Sequence, residues 1–123
     1  MFSSIRCAAA WGGWREGLTH WAMVLGDQPH LRTESLRALI EFAAAHSSKI
    51  CQPTSDGHGR HPVFLPKEDF VELAKSRAEN LKAFLQMRDD RLSYLQLADP
   101  GLGLDIDRPA DYQQALKLYN PHP

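Results

Sequence analysis

Three aspartates follow apolar segments that end in turns, and their positions suggest a ligand site. Asp27 comes directly after the apolar run HWAMVL and a glycine, whereas Asp105 and Asp107 lie in the glycine-containing stretch DPGLGLDIDRP. Carboxylates from distant loops can hold one divalent cation, and magnesium typically combines one or two of them with waters and substrate phosphate oxygens. The same residues also fit a structural role, in which Asp27 closes a turn and Asp107 caps a helix. Spacing alone leaves both interpretations open.

A second group of possible ligands lies in the segment SDGHGRHP. Asp56, His58 and His61 stand close together there, a few residues after Cys51. These residue types can bind zinc, but ligands crowded onto one loop without a second cluster are a weak zinc signature. The alternative is a glycine-rich turn with exposed histidines, whose backbone amides can also face an anion. We favour the glycine-rich turn over a zinc centre.

Alternating strands and helices are expected to position these residues. Short apolar runs bounded by Gly or Pro predict the strands HWAMVL, SKICQP, PVFLP and LSYLQLAD. Helical spacing predicts helices between and around them, with caps at Ser3 or Ser4 and at Thr33, and with Pro109 in the first turn of the last helix. The alternation favours a three-layer α/β domain with a mainly parallel sheet and flanking helices. Ligands of such sheets bind beyond the carboxyl ends of strands, where Asp27 is expected.

The composition describes one domain without a specialised charge. Fourteen Lys and Arg against fifteen Asp and Glu give 123 residues a net charge of -1, which does not favour a nucleic-acid-binding surface or an acidic disordered tail. The longest apolar runs have five residues, far fewer than a membrane span needs. The first residues do not resemble a signal peptide. Cys7 and Cys51 do not suggest a disulfide framework, so we expect a reduced, cytoplasmic compartment.

Four motifs in the same order resemble the molybdenum-cofactor nucleotidyltransferases, the MobA-like NTP transferases that include the molybdopterin cytidylyltransferases. GDQP resembles the metal-binding turn of that family, and RHPVFLP resembles its Gly-His-Pro-Val segment. DPGLGLDIDRPADYQQAL resembles the closing motif, and MFSSIRCAAA resembles a segment that begins a helix of the family. The matches extend from residue 1 to about residue 116. They imply a nucleotide-diphospho-sugar-transferase-like, Rossmann-like fold.

The resemblance covers the C-terminal part of the family's domain. The strand and glycine-rich loop that open the family and wrap the nucleotide phosphates have no counterpart in residues 1–123. The expectation is therefore a single partial domain, without the N-terminal nucleotide-binding strands and inactive by itself. Arg60 separates Gly59 from His61 where the family has Gly-His-Pro, and Arg108 replaces a residue that is usually Thr.

The chemistry of the family implies roles for particular residues. The metal ligands that the resemblance implies, with Mg²⁺ as the metal, are Asp27, Asp107 and Asp105, of which the first two are also expected to be catalytic. The implied contacts to substrate or nucleotide are Ser4, Gln28, His61 and Pro62. In the implied reaction, a phosphate or hydroxyl oxygen of a molybdopterin-type acceptor attacks the α-phosphate of CTP or GTP and releases pyrophosphate.

A different class of function is a non-catalytic interaction module. Without the early strands of the family, the HWAMVL strand is expected to have an unpaired apolar edge, and such an edge can pair with another chain. The protein would then form a homodimer or bind a separate nucleotide-binding polypeptide. A small zinc-binding domain built around Cys51 and His58 is a third interpretation.

Overall fold

The computed structural model describes residues 1–119, which form an α/β domain. The helices are α1 (Phe2–Ala10), α2 (Thr33–Ala45), α3 (Lys67–Leu73), α4 (Leu81–Gln86) and α5 (Pro109–Tyr119). The strands are β1 (His20–Met23), β2 (Ile50–Ser55), β3 (His58–Gly59), β4 (Val63–Pro66) and β5 (Leu92–Gln96). Short 3-10 turns cover Asp89–Arg91 and Pro100–Gly103. The helices and strands predicted from the sequence are all present, and β3 is an addition to them.

The sheet is mixed, so the expectation of a mainly parallel sheet was wrong. β4 lies between β1 and β2 and pairs antiparallel with both. β3 also pairs antiparallel with β2, whereas β5 pairs with β2 in parallel. Helices α1 and α3 pack against each other, and α2 packs against β2. The domain is therefore an α/β fold with a mixed sheet and flanking helices.

The direction of each strand follows from how the chain reaches it. Because β4 is antiparallel to both of its neighbours, β1 and β2 run the same way, and β5 runs with them. Helices separate these three strands along the chain, as the predicted alternation requires. Between β2 and β4 no helix intervenes, and a parallel return requires a long crossover. The short connection therefore forces β4 to run antiparallel.

A tight turn begins this connection. Asp56 and Gly57 join β2 to β3 and have positive φ angles of 52° and 76°. Two consecutive positive φ values are the signature of a type I′ hairpin, for which Asp-Gly is a preferred pair. The sequence DGHGR thus forms a hairpin tip, which places His58 and Gly59 on a two-residue strand.

Two predicted helix caps were wrong. Helix α1 begins at Phe2 and follows Met1, and α2 begins at Thr33 and follows Arg32, without a side-chain cap in either case. Pro109 is the first residue of α5, as predicted. A side-chain oxygen of Asp111 accepts hydrogen bonds from the backbone N–H groups of Asp107 and Arg108 at 3.3 and 3.0 Å. The cap of α5 is therefore supplied from within the helix.

The core lies between the sheet and helices α3 and α4. Its buried members are Ile50, Val63, Leu65, Phe70, Leu73, Leu81, Phe84 and Leu85. Trp21 of β1 stacks on Phe70 of α3, with the ring centroids 4.4 Å apart. Burial of one such large apolar side chain contributes about 1.5–3 kcal/mol, so this cluster fixes α3 and α4 on the sheet.

A buried ion-pair network ties α3 to the beginning of β5. The carboxylate of Asp69 is fully buried and accepts hydrogen bonds from Arg91 at 2.7 and 2.8 Å and from Arg88 at 2.9 Å. Arg91 also donates to the carbonyl oxygen of Ser48. A buried carboxylate needs such charged partners, because an unpaired charge is costly to desolvate.

Within residues 1–119, no helix has the length and apolar character required to cross a membrane.

Candidate functional site

Two carboxylate-bearing loops meet beyond the carboxyl ends of β1 and β5. The backbone N–H of Ile106 donates a hydrogen bond to the carbonyl oxygen of Asp27 at 3.0 Å. Asp27 follows β1, and Ile106 lies between Asp105 and Asp107 after β5. Because β1 and β5 run in the same direction, their following loops leave the same edge of the sheet.

Gln28 joins these loops through its side chain. Its Nε2 group donates to the carboxylate of Asp105 at 2.9 Å and to the backbone carbonyl oxygens of Leu102 and Leu104 at 3.1 and 3.4 Å. The residue is buried, and its Oε1 atom has no hydrogen-bond partner among the residues that the structure describes. Gln28 therefore positions the carboxylate of Asp105, and Oε1 is the atom that a ligand could still use.

Asp99 holds the intervening glycine-containing turn. One of its oxygens accepts from the backbone N–H of Gly101 at 2.8 Å, and the other accepts from the hydroxyl of Ser35 at 2.7 Å. His30 Nε2 lies 2.9 Å from the carbonyl oxygen of Gly101. The sequence reasoning did not select these residues for the site, although Asp before Pro-Gly is a recognisable turn signal. They hold the turn that leads to Asp105.

His61 is close enough to two of the aspartates to respond to their charges. It is half-buried, and burial lowers its pKa from the ordinary value, whereas the carboxylates of Asp105 and Asp27 act in the opposite direction. A histidine that is neutral near pH 7 can accept a proton or a hydrogen bond. Asp27, Asp105 and His61 thus form an electrostatically connected group, which we call the carboxylate–histidine group.

A cleft of about 710 Å³ opens beside His61. Its walls are the β3 hairpin, the beginning of α4 and the face of β5, and its polar lining includes Gln52, His58, Arg60, His61, Asn80, Lys82, Gln86, Asp89 and Tyr94. The lining contains two cationic side chains, those of Arg60 and Lys82, and one carboxylate, that of Asp89. Such a concave surface with several convergent polar groups is typical of a small-molecule site, and its basic groups favour an anionic ligand.

Arg60 connects the cleft to the glycine-containing turn. Its Nε donates to the hydroxyl of Ser55 at 3.1 Å. A Cβ atom placed on Gly103 would lie 3.3 Å from Nη2 of Arg60, so the guanidinium packs against this glycine. Arg60, the residue inserted before His61 relative to the family motif, therefore packs against the turn that leads to Asp105.

The other predicted site residues lie in different surroundings. Asp107 is exposed, as Asp105 is, but it is not among the groups that shift the pKa of His61. Ser4 is exposed on α1 and does not line the cleft, although Met1 does. Pro62 is fully buried and follows His61 through a cis peptide bond. The structure thus brings Asp27, Gln28, Asp105 and His61 together, whereas Ser4 has no described contact with them.

Neither zinc nor a dense metal cluster is favoured by the geometry. Cys51 is fully buried, and its thiol donates to the carbonyl oxygens of His46 and Lys49, whereas His58 is exposed on the hairpin. Among residues 1–119, no three His, Cys, Asp or Glu side chains are grouped so that they could hold a metal ion. A metal at this edge of the sheet would therefore depend on two carboxylates, completed by water or a ligand.

Solved structures of mycobacterial proteins share this fold. The crystal structure of Rv0371c from Mycobacterium tuberculosis H37Rv in complex with manganese is 28% identical, with a TM-score of 0.60, and the match covers 93% of this chain and 59% of that chain. Another crystal structure of Rv0371c is 27% identical, with a TM-score of 0.61 and coverage of 93% and 57%. An Rv0371c homologue from Mycobacterium sp. strain JC1, 20% identical with a TM-score of 0.65 and coverage of 94% and 57%, shows the fold alone.

The chain thus spans 57–59% of the length of these solved relatives. No curated protein matches it. The model of the MobA-like NTP transferase domain matches residues 1–93, which include Asp27, Gln28 and His61 and make up more than half of the 123 residues. The structural matches extend over 93–94% of the chain. On this basis, the chain belongs to the MobA-like NTP transferase family.

Proposed function

We propose that the chain supplies the metal-binding and acceptor-binding part of a nucleotidyltransferase. The observation that carries this proposal is the meeting of the two carboxylate-bearing loops, in which Gln28 donates to Asp105 and Ile106 donates to the carbonyl oxygen of Asp27, near a 710 Å³ cleft lined by His61. Family membership supports a nucleotidyltransferase-type function. The chain spans 57–59% of its solved relatives, so the activity of a whole family member is part of the proposal.

A divalent cation, Mg²⁺ in the simplest case, fits the two carboxylate-bearing loops. Magnesium binds through one or two carboxylates and keeps its other positions for water and phosphate oxygens. Asp27 is the first proposed ligand, and Asp105 or Asp107 is the second. Gln28 holds one oxygen of Asp105, which leaves the other oxygen to face a cation. The manganese complex of Rv0371c supports a divalent metal.

The proposed reaction transfers a nucleotidyl group to an anionic acceptor. An oxygen of a molybdopterin-type acceptor, bound in the cleft near Arg60 and Lys82, attacks the α-phosphorus of CTP or GTP. A new phosphorus–oxygen bond forms as the bond to the β-phosphate breaks, and pyrophosphate leaves. The cation, when bound, neutralises charge on the phosphate oxygens. His61 contacts the acceptor at the mouth of the cleft, with Gln28 and Pro62 fixing the loops around it.

Manganese binding by the purified chain tests the metal site. Paramagnetic Mn²⁺ should broaden the NMR signals of Asp27, Asp105 and His61 first, and Asp27→Asn should reduce the Mn²⁺ affinity at least about 10-fold. The second ligand is identified by comparing Asp105→Asn with Asp107→Asn. The variant that loses more Mn²⁺ affinity has lost the ligand. Asp56→Asn is the matched control, because Asp56 is an exposed carboxylate at a turn position that Asn tolerates. Equal affinity of Asp27→Asn and Asp56→Asn would exclude the proposed site.

Nucleotide binding tests whether residues 1–123 bind a nucleotide by themselves. The resemblance implies that the glycine-rich phosphate-binding loop of the family has no counterpart in residues 1–123, so we expect no appreciable binding of CTP, GTP or ATP in the presence of Mg²⁺. Isothermal titration calorimetry would measure this. Micromolar affinity for any of the three nucleotides would show that residues 1–123 already hold the nucleotide-binding groups.

A second candidate function is a cytoplasmic interaction module, and one observation favours it. Within residues 1–119, β1 pairs with β4 and has no strand on its other side. An unpaired strand edge can add a strand from another chain, so homodimer formation or binding of a nucleotide-binding polypeptide is expected. Light scattering at micromolar concentration tests self-association. The variant Ala22→Lys, on the exposed part of β1, should block pairing at this edge. A monomer for the unmodified chain would count against the homodimer.

A further inference from the structure

The face of the sheet that carries part of the core continues into the 710 Å³ cleft. Strands β2 and β5 pair so that Ile50 lies beside Leu92 and Gln52 lies beside Tyr94. Residues two positions apart on a strand point to the same side of a sheet. Ile50 belongs to the core and Leu92 packs against it, whereas Gln52, Tyr94 and Leu92 line the cleft. The floor of the cleft is therefore an extension of the core face that carries a polar side chain.

Gln52 is the polar side chain of this floor, and its amide has no partner in the described chain. The residue is 7% exposed, and the amide makes no hydrogen bond within residues 1–119. Unlike Oε1 of Gln28, neither of its polar atoms is among the fully enclosed atoms that lack a partner. Both atoms are therefore accessible from the cleft that Gln52 lines. A few such polar groups in a concave, partly apolar lining are typical of a site that binds a small molecule.

Gly59 supports the amide of Gln52 from the β3 hairpin. A Cβ atom placed on Gly59 would lie 2.8 Å from Nε2 and 2.9 Å from both Cδ and Oε1 of Gln52. Because these three atoms are at nearly equal distances, the plane of the amide packs face-on against Gly59. The hydrogen bonds of an amide lie close to that plane. Gly59 therefore orients the amide without covering its donors or its acceptor.

We propose that Gln52 hydrogen-bonds to the lactam edge of a planar, anionic ligand in this cleft. An amide side chain carries an acceptor oxygen beside N–H donors, and a lactam presents the complementary N–H and carbonyl oxygen side by side. Oε1 accepts from the ring N–H, and Nε2 donates to the ring carbonyl oxygen. This inference rests on the proposed function, because it names the group of the acceptor that determines specificity.

The other residues of the lining fit the same ligand. Tyr94 is 49% exposed beside Gln52, so its ring is available for a planar heterocycle to stack on. Arg60 and Lys82 favour a negatively charged substituent. The apolar residues of the lining include Leu81, Leu85 and Leu92. These residues suit a flat ring better than a sugar, whose hydroxyl groups need polar partners when they are buried.

Orotate, benzoate and glucuronate are the matched probes, because all three are ring carboxylates and only orotate contains a lactam. In NMR titrations, orotate should shift the signals of the Gln52 side-chain amide and of Tyr94. It should bind about 10-fold more tightly than benzoate, as two hydrogen bonds between neutral groups predict. Equal affinities for orotate and benzoate, or tighter binding of glucuronate than of orotate, would overturn the proposal.

Two variants test the amide of Gln52. Gln52→Leu keeps the approximate volume and should lower the affinity for orotate to that for benzoate, without lowering the free energy of unfolding, since the amide has no partner in residues 1–119. Gly59→Ala should displace the amide and reduce the preference for orotate while residue 52 is unchanged. Gly59 does not have a positive φ angle, so its backbone accepts Ala. Retained preference for orotate in Gln52→Leu would contradict the proposal.

Two further variants separate this hydrogen bonding from other effects. Tyr94→Leu should weaken the binding of orotate and of benzoate by similar factors, because it removes the stacking surface and leaves the amide in place. Gln96→Leu is the matched control for Gln52→Leu, because Gln96 is exposed on β5 and does not line the cleft. It should bind all three probes as the unmodified chain does. Loss of the preference for orotate in Gln96→Leu would contradict the assignment to Gln52.

Metal binding distinguishes the failure of this inference from the failure of the proposed function. Gln52→Leu should keep its Mn²⁺ affinity, and Asp27→Asn should keep the preference for orotate. Intact Mn²⁺ binding without a preference for orotate in the unmodified chain would reject the lactam site alone. A preference for orotate that depends on Gln52, in a chain that does not bind Mn²⁺, would reject the proposed metal site alone. If Gln52→Leu does not fold, Gly59→Ala decides whether the amide recognises the ring.

Discussion

The Nε2 group of Gln28 lies 2.9 Å from a carboxylate oxygen of Asp105. Gln28 directly follows Asp27, so one side chain of the first carboxylate loop fixes the carboxylate of the second. The hydrogen bond from Ile106 to Asp27 connects the same loops through the backbone. The distance between the two carboxylates therefore depends on these few long-range hydrogen bonds, and changes in them should alter the proposed metal binding without removing a proposed ligand.

Gln28→Met should weaken both folding and metal binding. The substitution keeps the length of the side chain but leaves the carbonyl oxygen of Leu102 and the carboxylate of Asp105 without their donor, which should cost about 1–3 kcal/mol of unfolding free energy. Loss of the hydrogen bond to a metal ligand typically lowers metal affinity about 10–100-fold. Urea unfolding and Mn²⁺ titration would measure the two effects.

Gln113→Met is the control for this change, because Gln113 is exposed on α5. It should leave the free energy of unfolding and the Mn²⁺ affinity nearly unchanged. A Gln28→Met protein with the Mn²⁺ affinity of this control would show that Gln28 does not position a metal ligand.

The pKa of His61 should fall further when the neighbouring carboxylate is neutralised. Burial already lowers this pKa below 6.5, and Asp105 and Asp27 partly offset the effect. Asp105→Asn removes one offsetting charge and should lower the pKa, whereas Asp107→Asn should change it less. NMR titration of the His61 ring protons measures both. Binding of a divalent cation at these carboxylates should act in the same direction as Asp105→Asn.

Protonation of His61 should lower the free energy of unfolding. Because the folded-state pKa is lowered, the unfolded chain takes up the proton first as the pH falls below about 6.5. The contribution of neutral His61 is therefore complete above this pH and is lost as the pH falls towards the lower, folded-state pKa. Urea unfolding at pH 7.5 and at pH 5 measures how much more stable the unmodified chain is than His61→Gln. This difference in the free energy of unfolding should be smaller at pH 5. A larger difference at pH 5 would contradict the assignment.

Asp69→Asn should destabilise the fold strongly. Asp69 is fully buried and is bound by Arg88 and Arg91, so loss of its charge should cost about 3 kcal/mol of unfolding free energy. Glu68→Gln tests the same network at its surface, because Glu68 is 73% exposed at its side chain and lies 3.5 Å from Arg91. That control should cost less than about 1 kcal/mol. A similar decrease in the free energy of unfolding for both variants would show that the stabilisation by this network does not depend on the burial of Asp69.

The two cysteines should react at very different rates. Cys7 is exposed, whereas Cys51 is fully buried and its pKa is raised by burial. Reaction with Ellman's reagent at pH 8 should therefore modify one thiol per folded chain rapidly and the second after unfolding. Cys7→Ser should abolish the rapid reaction. Rapid modification in that variant would mean that β2 opens far more readily than its burial indicates.

The sequence by itself determined where the main helices and strands lie. Helical spacing in α2 and α5, and short apolar runs bounded by Gly or Pro, are local patterns that act over a few residues. The Asp56-Gly57 pair predicted a glycine-rich turn, and its tolerance of positive φ allows that turn to be the tip of a two-residue hairpin. Four short motifs were sufficient to indicate the family, because they occur in a fixed order along the chain.

Tertiary structure alone decided how the strands are ordered and which side chains surround His61. β4 enters between β1 and β2 through long-range pairing, which no local periodicity encodes. The same applies to the hydrogen bonds of Gln28, whose Nε2 group donates to Asp105 and to two backbone carbonyl oxygens. Burial and charge act through space. The pKa of His61 and its connection to Asp105 and Asp27 therefore became visible when residues far apart in the chain were brought to the same edge of the sheet.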